Sequence, residues 1–199
     1  VSAAQVSYED LLNAEAKPEN WATYSGTYKS RHYSGLKQIT RENIGDLELK
    51  WVFHAGTEGK LQATPLVVDA VMYLTEGNNN VIALDAKTGR RFWTYVHTLP
   101  KRVNTVARTN RGAALLDDRV FTGTLDGRLL ALDAKTGNVL WSRQVCDNTK
   151  GYTLTMAPLA VKDKIIVGTA GGEYGIRGYL DAYDATTGER AWRFYTIPG

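Results

Sequence analysis

The sequence predicts an all-β fold, a β-propeller of four-stranded antiparallel blades, and a repeated motif carries this prediction. The run Ala-Leu-Asp-Ala-Lys-Thr-Gly, followed four residues later by tryptophan, occurs at 83–93 and 131–141, and in altered form at 182–192. Each copy follows apolar runs of strand length. Strand-rich units repeated at a period of about 50 residues are typical of propeller blades.

Each repeat holds the elements of a blade. The predicted strands ahead of the motifs cover 65–74 and 80–84, then 113–123 and 128–132, then 157–168 and 178–183. These runs are rich in β-branched and aromatic residues, and each is about as long as a single strand. The Thr-Gly of each motif predicts a tight turn, because glycine takes positive φ values without steric cost. The strand after the turn presents its tryptophan, which we expect to pack on the neighbouring blade with its indole N–H bound to a backbone acceptor.

The sequence before the first full repeat predicts an atypical start. Residues 44–51 end in tryptophan but lack the Thr-Gly turn, which indicates a degenerate repeat. Residues 7–10, Ser-Tyr-Glu-Asp, form a capping box and predict a short helix ending before Pro18. We therefore divide the chain into an N-terminal helix and connector, 1–40, and a partial propeller of about four blades, 41–199. Because ring closure protects sheet edges, further chain or a second chain is expected to complete the ring.

Composition excludes several classes of protein. The net charge of +3 comes from 24 basic and 21 acidic residues scattered along the chain, so nucleic-acid binding is not expected. The sequence has no apolar stretch near the roughly 20 residues of a transmembrane helix. Its single cysteine, Cys146, cannot form an intrachain disulfide or a cysteine-based metal cluster.

The third repeat departs from the other two in one loop. Its predicted second and third strands are separated by a longer, glycine-rich segment, residues 168–178, with the sequence Gly-Thr-Ala-Gly-Gly-Glu-Tyr-Gly-Ile-Arg-Gly. A long loop on one unit of a repeat array is a common place for function. Its closely spaced N–H groups suit an anionic ligand, while Glu173 suits a hard cation that prefers oxygen ligands. The alternative is a wide hairpin whose glutamate is only solvated.

Four segments, taken in order, resemble the pyrroloquinoline quinone (PQQ)-dependent alcohol dehydrogenases of the methanol and ethanol dehydrogenase type. They are residues 21–39, 63–69, 109–112, and 153–158 continuing into the Gly-Gly-Glu-Tyr-Gly loop. The resemblance implies the N-terminal half of an eight-bladed propeller. It also implies a periplasmic enzyme that oxidises an alcohol or sugar hydroxyl by hydride transfer to PQQ and passes electrons to cytochrome c or another acceptor.

The resemblance also assigns site residues. The positions it assigns to cofactor binding are Arg111, Thr155, Ala170, Gly171 and Gly172. The arginine would contact a quinone carboxylate or the reactive carbonyl edge, since its fork is planar and permanently charged. The threonine would donate a hydrogen bond to a carboxylate, and the other three would let the backbone approach the cofactor. Glu173 would bind calcium or a lanthanide, which polarises the quinone carbonyl as a Lewis acid.

Each assignment has a structural alternative. Arg111 could form a surface salt bridge, and Thr155 could simply end a strand of a half-buried sheet. The family's catalytic aspartate, its lysine on the quinone and its remaining metal ligands all lie further along, so we assign no catalytic residue in this chain.

Four positions differ from the family pattern. Thr105 and Val106 stand where the family usually has two adjacent cysteines, so the vicinal disulfide cannot form. Gln62 replaces a glutamate that touches the cofactor in many members, and Ala170 replaces a frequent serine. These differences affect how the cofactor would be held.

A second function remains open at this point, a non-enzymatic propeller that acts as an assembly or protein-interaction scaffold. Such proteins share the tryptophan repeat. They have no need for an arginine, a threonine and a carboxylate directed at one channel, so the placement of Arg111, Thr155 and Glu173 separates the two functions.

Overall fold

The described residues, 5–56 and 61–199, come from a computed structural model and form three four-stranded antiparallel sheets. Blade 1 contains β1 (Leu66–Val68), β2 (Val71–Thr75), β3 (Val81–Asp85) and β4 (Arg91–Tyr95). Blade 2 contains β5 (Ala113–Leu116), β6 (Arg119–Gly123), β7 (Arg128–Asp133) and β8 (Val139–Gln144). Blade 3 contains β9 (Leu159–Val161), β10 (Lys164–Gly168), β11 (Tyr179–Asp184) and β12 (Arg190–Tyr195). Each sheet keeps its strands in chain order, which confirms the predicted fold class.

The first apolar run of each repeat is a hairpin, so the expectation of a single strand there was wrong. The runs fold into β1–β2, β5–β6 and β9–β10. Their turns place non-glycine residues at positive φ: Asp69 at 49°, Ala70 at 63°, Asp117 at 52° and Lys162 at 55°. Two-residue hairpin turns need such backbone values because these match the twist of the strands. Without glycine at these turns, the usual sequence signal for a hairpin is missing.

The repeated tryptophans join neighbouring blades as predicted. Trp93 of blade 1 donates its indole N–H to the carbonyl of Ala134 in blade 2, over 3.1 Å. Trp141 of blade 2 makes the same bond to the carbonyl of Ala185 in blade 3, also over 3.1 Å. Trp192 of blade 3 faces outward and is 44% exposed.

The predicted degenerate repeat contains no strand within residues 41–56 of the described chain, where a 3-10 turn spans Ile44–Asp46. Its tryptophan nevertheless docks like the others, because the Trp51 ring covers Gly89 in the turn between β3 and β4. The division at residue 40 and the count of about four blades stay predictions.

The N-terminal segment begins with the predicted capped helix, α1 (Tyr8–Leu12). The Ser7 hydroxyl accepts a hydrogen bond from the Asp10 N–H, and the Asp10 carboxylate accepts one from the Ser7 N–H, which confirms the capping box. Hydrogen bonds from Lys17 and Ser7 lower the pKa of Asp10 to about 2. No helix of the described residues could cross a membrane.

After α1 the segment crosses the innermost strands. Trp21 exchanges two backbone hydrogen bonds with Val67 of β1, and the Tyr28 hydroxyl donates to the carbonyl of Ala160 in β9. Before α1, Val6 already pairs with Asp117 in the turn between β5 and β6. The segment therefore ties the inner edges of all three blades together.

Candidate functional site

The candidate residues all lie at one end of the blades, here called the upper end. The start of β9 pairs with the end of β10, with Leu159 opposite Ile166. The connection 145–158 before β9 and the loop 169–178 after β10 therefore emerge together. The connection 96–112 reaches the same end before β5, since the Arg111 N–H donates to the Thr155 carbonyl over 3.0 Å.

Arg111 and Thr155 form a side-chain pair as well. The Arg111 guanidinium donates to the Thr155 hydroxyl oxygen over 3.0 Å, and the arginine is exposed. Because this hydroxyl accepts from the arginine, its own proton is free to donate elsewhere. The pair thus presents a guanidinium and a hydroxyl donor side by side, an arrangement that suits a carboxylate.

Asn110 fixes the backbone that carries Arg111, and sequence reasoning gave it no role. Its amide is 2% exposed and accepts from the Thr75 hydroxyl over 2.7 Å and from the Gly112 N–H over 2.9 Å. It also donates to the Gly123 carbonyl over 3.0 Å. Thr75 belongs to blade 1 and Gly123 to blade 2, so this buried amide joins both blades directly beside the arginine. The Asn-Arg-Gly sequence was the only signal.

The long loop is joined to the same connection at its first stem. Ala170 and Thr153 exchange two backbone hydrogen bonds of 2.9 Å, and Thr153 lies two residues before Thr155. Gly171 approaches so closely that a β-carbon there would stand 2.1 Å from the Gly151 carbonyl oxygen. The backbone at Gly172 is open, with no atom within 4 Å of that position. Of the three loop positions that the resemblance assigns to cofactor binding, Gly171 is therefore tightly packed and Gly172 has an accessible backbone.

Glu173 occupies a short 3-10 turn, Gly172–Tyr174, and is exposed. Across residues 5–56 and 61–199 its carboxylate makes no hydrogen bond or ion pair, with Arg111 or with any other residue. Within the same residues, no three His, Cys, Asp or Glu side chains cluster as a metal site would require. Glu173 can therefore supply one carboxylate ligand, and the remaining ligands of a metal would come from other groups.

Two departures from the family pattern lie on the surface. Val106 is 69% exposed, and the Thr105 hydroxyl donates to the Ala107 carbonyl over 2.8 Å. Gln62 is also exposed. Below the site, Arg111 borders a cavity of about 490 Å³ between the inner strands β5 and β9 and the N-terminal segment 22–30.

Two groups near the upper end, Asp126 and Cys146, have pKa values shifted by their surroundings. Burial opposes ionisation of Asp126, but hydrogen bonds from His97 and Thr124 lower the pKa of its carboxyl. Burial raises the pKa of the Cys146 thiol to about 12. A thiol that remains protonated is neither a nucleophile nor a metal ligand, so Cys146 fills the core.

Known proteins are similar to this chain in sequence and in fold. The chain is 44% identical over 200 residues to the quinohemoprotein alcohol dehydrogenase ADH IIB of Pseudomonas putida, covering 99% of this chain and 29% of that protein. The solved structure of ADHIIG from Pseudomonas putida HK5 superposes with a TM-score of 0.93 at 43% identity, covering 99% of this chain and 29% of the other. A europium-containing methanol dehydrogenase gives a TM-score of 0.91 at 39% identity, covering 96% and 34%.

The chain spans less than a third of ADH IIB. A family model described as glucose/ethanol/alcohol dehydrogenase, beta-propeller domain, matches residues 21–199. This range contains all three blades and every candidate site residue. The expected family is confirmed, and this chain belongs to the PQQ-dependent glucose, ethanol and alcohol dehydrogenase β-propeller family.

Proposed function

We propose that this chain forms the N-terminal half of the propeller in a periplasmic quinoprotein dehydrogenase. The whole protein would oxidise an alcohol or sugar hydroxyl with PQQ and a bound calcium or lanthanide ion. Electrons would pass to cytochrome c or another acceptor, in keeping with relatives named quinohemoproteins. The observation that carries the proposal is the Arg111–Thr155 donor pair at the same end of the blades as the unpaired carboxylate of Glu173.

The residues present fit a carboxylate-bearing quinone and a hard cation. Arg111 and Thr155 would hold a quinone carboxylate with one charged and one neutral donor. The open backbone at Gly172 would admit the cofactor, and Glu173 would bind the metal through its carboxylate. When bound, PQQ with its metal supplies a polarised carbonyl that accepts hydride, while these residues orient it and set its electrostatic surroundings.

The scaffold alternative fits the observations less well. A scaffold would gain nothing from an unpaired carboxylate at the same end of the blades as an arginine–threonine donor pair. The relatives at 39–44% identity are named as alcohol or methanol dehydrogenases. The europium of one such structure supports a lanthanide as the metal.

Titration calorimetry on the full-length protein tests the proposal. We expect one PQQ to bind per propeller when calcium or a lanthanide is present, and little binding when a chelator removes both. Absence of PQQ binding with either ion would instead favour the scaffold.

Removing the Thr155 hydroxyl should weaken PQQ binding. We expect Thr155→Val in the full-length protein to lower PQQ affinity by about 10- to 150-fold, because a hydrogen bond to a charged group contributes about 1.5–3 kcal/mol. Calorimetry at saturating metal measures this change. Thr149→Val is the matched control, since Thr149 lies in the same connection but donates to Asp147. Equal affinities in the two variants would contradict the assigned role of Thr155.

A further inference from the structure

We propose that Arg177 is a positioning residue that, with Tyr152 and Tyr195, clamps the loop 169–178 and so fixes the place of Glu173. The inference rests on the proposed function, because it matters only if Glu173 binds the metal. Arg177 would not contact the cofactor itself, but it would determine the position of the Glu173 carboxylate.

The tip of the loop has little packing of its own. Neither Gly172 nor Gly175 has an atom within 4 Å of the position of an added β-carbon. Tyr174 rests against Gly151 but is 45% exposed. The carboxylate between them has no partner in the described chain. The position of Glu173 therefore depends on how the two stems of the loop are held.

The second stem is held by the Arg177 side chain. Its Nε donates to the carbonyl of Ile197 over 2.8 Å, and its guanidinium carbon lies 4.0 Å from the centre of the Tyr195 ring. A planar guanidinium can stack on an aromatic face and donate hydrogen bonds at its edge at the same time. One side chain thus fastens the loop to the end of β12.

The backbone of Arg177 is held by a different residue, Tyr152. The Tyr152 hydroxyl accepts from the Arg177 N–H and donates to the Arg177 carbonyl, each over 3.2 Å. Tyr152 lies three residues before Thr155 in the connection 145–158. The same connection therefore positions both the donor pair at Arg111 and the second stem of the loop that carries Glu173.

An ion pair between a buried carboxylate and a partly exposed arginine supports this clamp from below. Tyr195 makes an edge contact with Tyr179 at 5.8 Å, and the Arg193 guanidinium lies 3.6 Å from the centre of the Tyr179 ring. Arg193 in turn donates twice, over 2.7 Å each, to the fully buried carboxylate of Asp181.

This support is specific to the repeat with the long loop. At the motif position of Asp181, the first two repeats have Ile82 and Leu130, which are ordinary apolar core residues. At the position of Arg193 they have Thr94 and Ser142. A buried carboxylate costs more to desolvate than an apolar side chain, so the presence of Asp181 with its arginine in this one blade indicates a local positional role.

Whether replacing Arg177 weakens or tightens metal binding distinguishes a positioning role from a purely electrostatic one. Arg177 is a cation four residues from Glu173, so deleting its charge alone would tighten binding of a metal ion. Loss of the clamp would instead let the loop move and weaken binding. Groups that orient metal ligands from outside the coordination sphere typically change metal affinity 10–100-fold.

The test uses full-length, metal-free protein with PQQ, titrated with Eu³⁺ and followed by Eu³⁺ luminescence. We expect Arg177→Ala to weaken Eu³⁺ binding about 10-fold. Luminescence lifetimes in H₂O and D₂O should show about one more bound water, because a displaced carboxylate is replaced by solvent. Tyr152→Phe removes only the hydroxyl that bonds the Arg177 backbone, and it should also weaken Eu³⁺ binding and add bound water. This variant tests the clamp if Arg177→Ala does not fold.

Two further variants separate the possible outcomes. Arg143→Ala is the matched control, because Arg143 also donates to backbone carbonyls, those of Gly188 and Thr187, but in the lower turn of blade 3. It should bind Eu³⁺ like the wild type. If Glu173→Gln weakens Eu³⁺ binding but Arg177→Ala and Tyr152→Phe leave affinity and hydration unchanged, the clamp is refuted and the metal role stands. If Glu173→Gln also has no effect, the metal role of Glu173 fails.

Discussion

Glu173→Gln is expected to lower the affinity of the full-length protein for its metal by at least about 100-fold. Loss of a residue that only orients a ligand typically costs 10–100-fold, so loss of the ligand's charge should reach the upper end of that range. Glutamine keeps the size of the side chain and one oxygen but removes the negative charge that a hard cation prefers. Calorimetric titration with calcium and with a lanthanide, each in the presence of PQQ, measures the change.

The control for this substitution is Glu189→Gln. Glu189 is an exposed glutamate of the same blade, but it lies in the lower turn between β11 and β12. Its substitution makes the same change in net charge, so it should leave metal affinity within about twofold. Wild-type affinity in Glu173→Gln would remove Glu173 from the metal site.

The blades could be predicted from the sequence because their signal is repeated. Each motif combines a turn glycine with a tryptophan at fixed spacing, and the same contact recurs from Trp93 to Ala134 and from Trp141 to Ala185. The inner hairpins were missed for a physical reason. Their turns use Asp69, Ala70 and equivalent residues at positive φ, where sequence rules look for glycine or asparagine.

The site could be predicted only in part. The glycine-rich insertion and the single carboxylate at Glu173 stand out from the repeat pattern, but the pairing of Arg111 with Thr155 joins connections before two different blades. No local pattern specifies such a contact, so those residues came from the family resemblance. The clamp at Arg177 was missed because its partners, Tyr152 and Tyr195, belong to separate elements.

One signal for the clamp was present in the sequence. Asp181 occupies the motif position that holds Ile82 and Leu130 in the first two repeats. A charged side chain at a core position is stable only if it is paired, so a partner for Asp181 is expected. Asp181 finds that partner in Arg193, one residue after the repeat tryptophan. Comparing repeats for polar residues at core positions would therefore have pointed to the blade that carries the long loop.

Gly137→Ala is expected to destabilise the full-length protein by about 3 kcal/mol. Gly137 has φ +75°, and a β-carbon there would stand 2.6 Å from the ring of Trp93, the residue that docks blade 1 on blade 2. A left-handed backbone costs an alanine about 1–2 kcal/mol. Overpacking against the indole adds about 1–3 kcal/mol, because the ring is also held by its hydrogen bond to Ala134.

Gly175→Ala separates these two contributions. Gly175 has nearly the same backbone, φ +68°, but no atom lies within 4 Å of its added β-carbon. It should therefore lose only the backbone part, about 1 kcal/mol. Denaturant unfolding followed by tryptophan fluorescence compares the two variants, and Gly137→Ala should also shift the emission of the native state as Trp93 is displaced. Equal destabilisation of the two would mean that indole docking contributes nothing measurable to blade association. A larger loss at Gly137 would show that close contact between glycine and tryptophan, rather than the turn backbone alone, determines how blade 1 docks on blade 2.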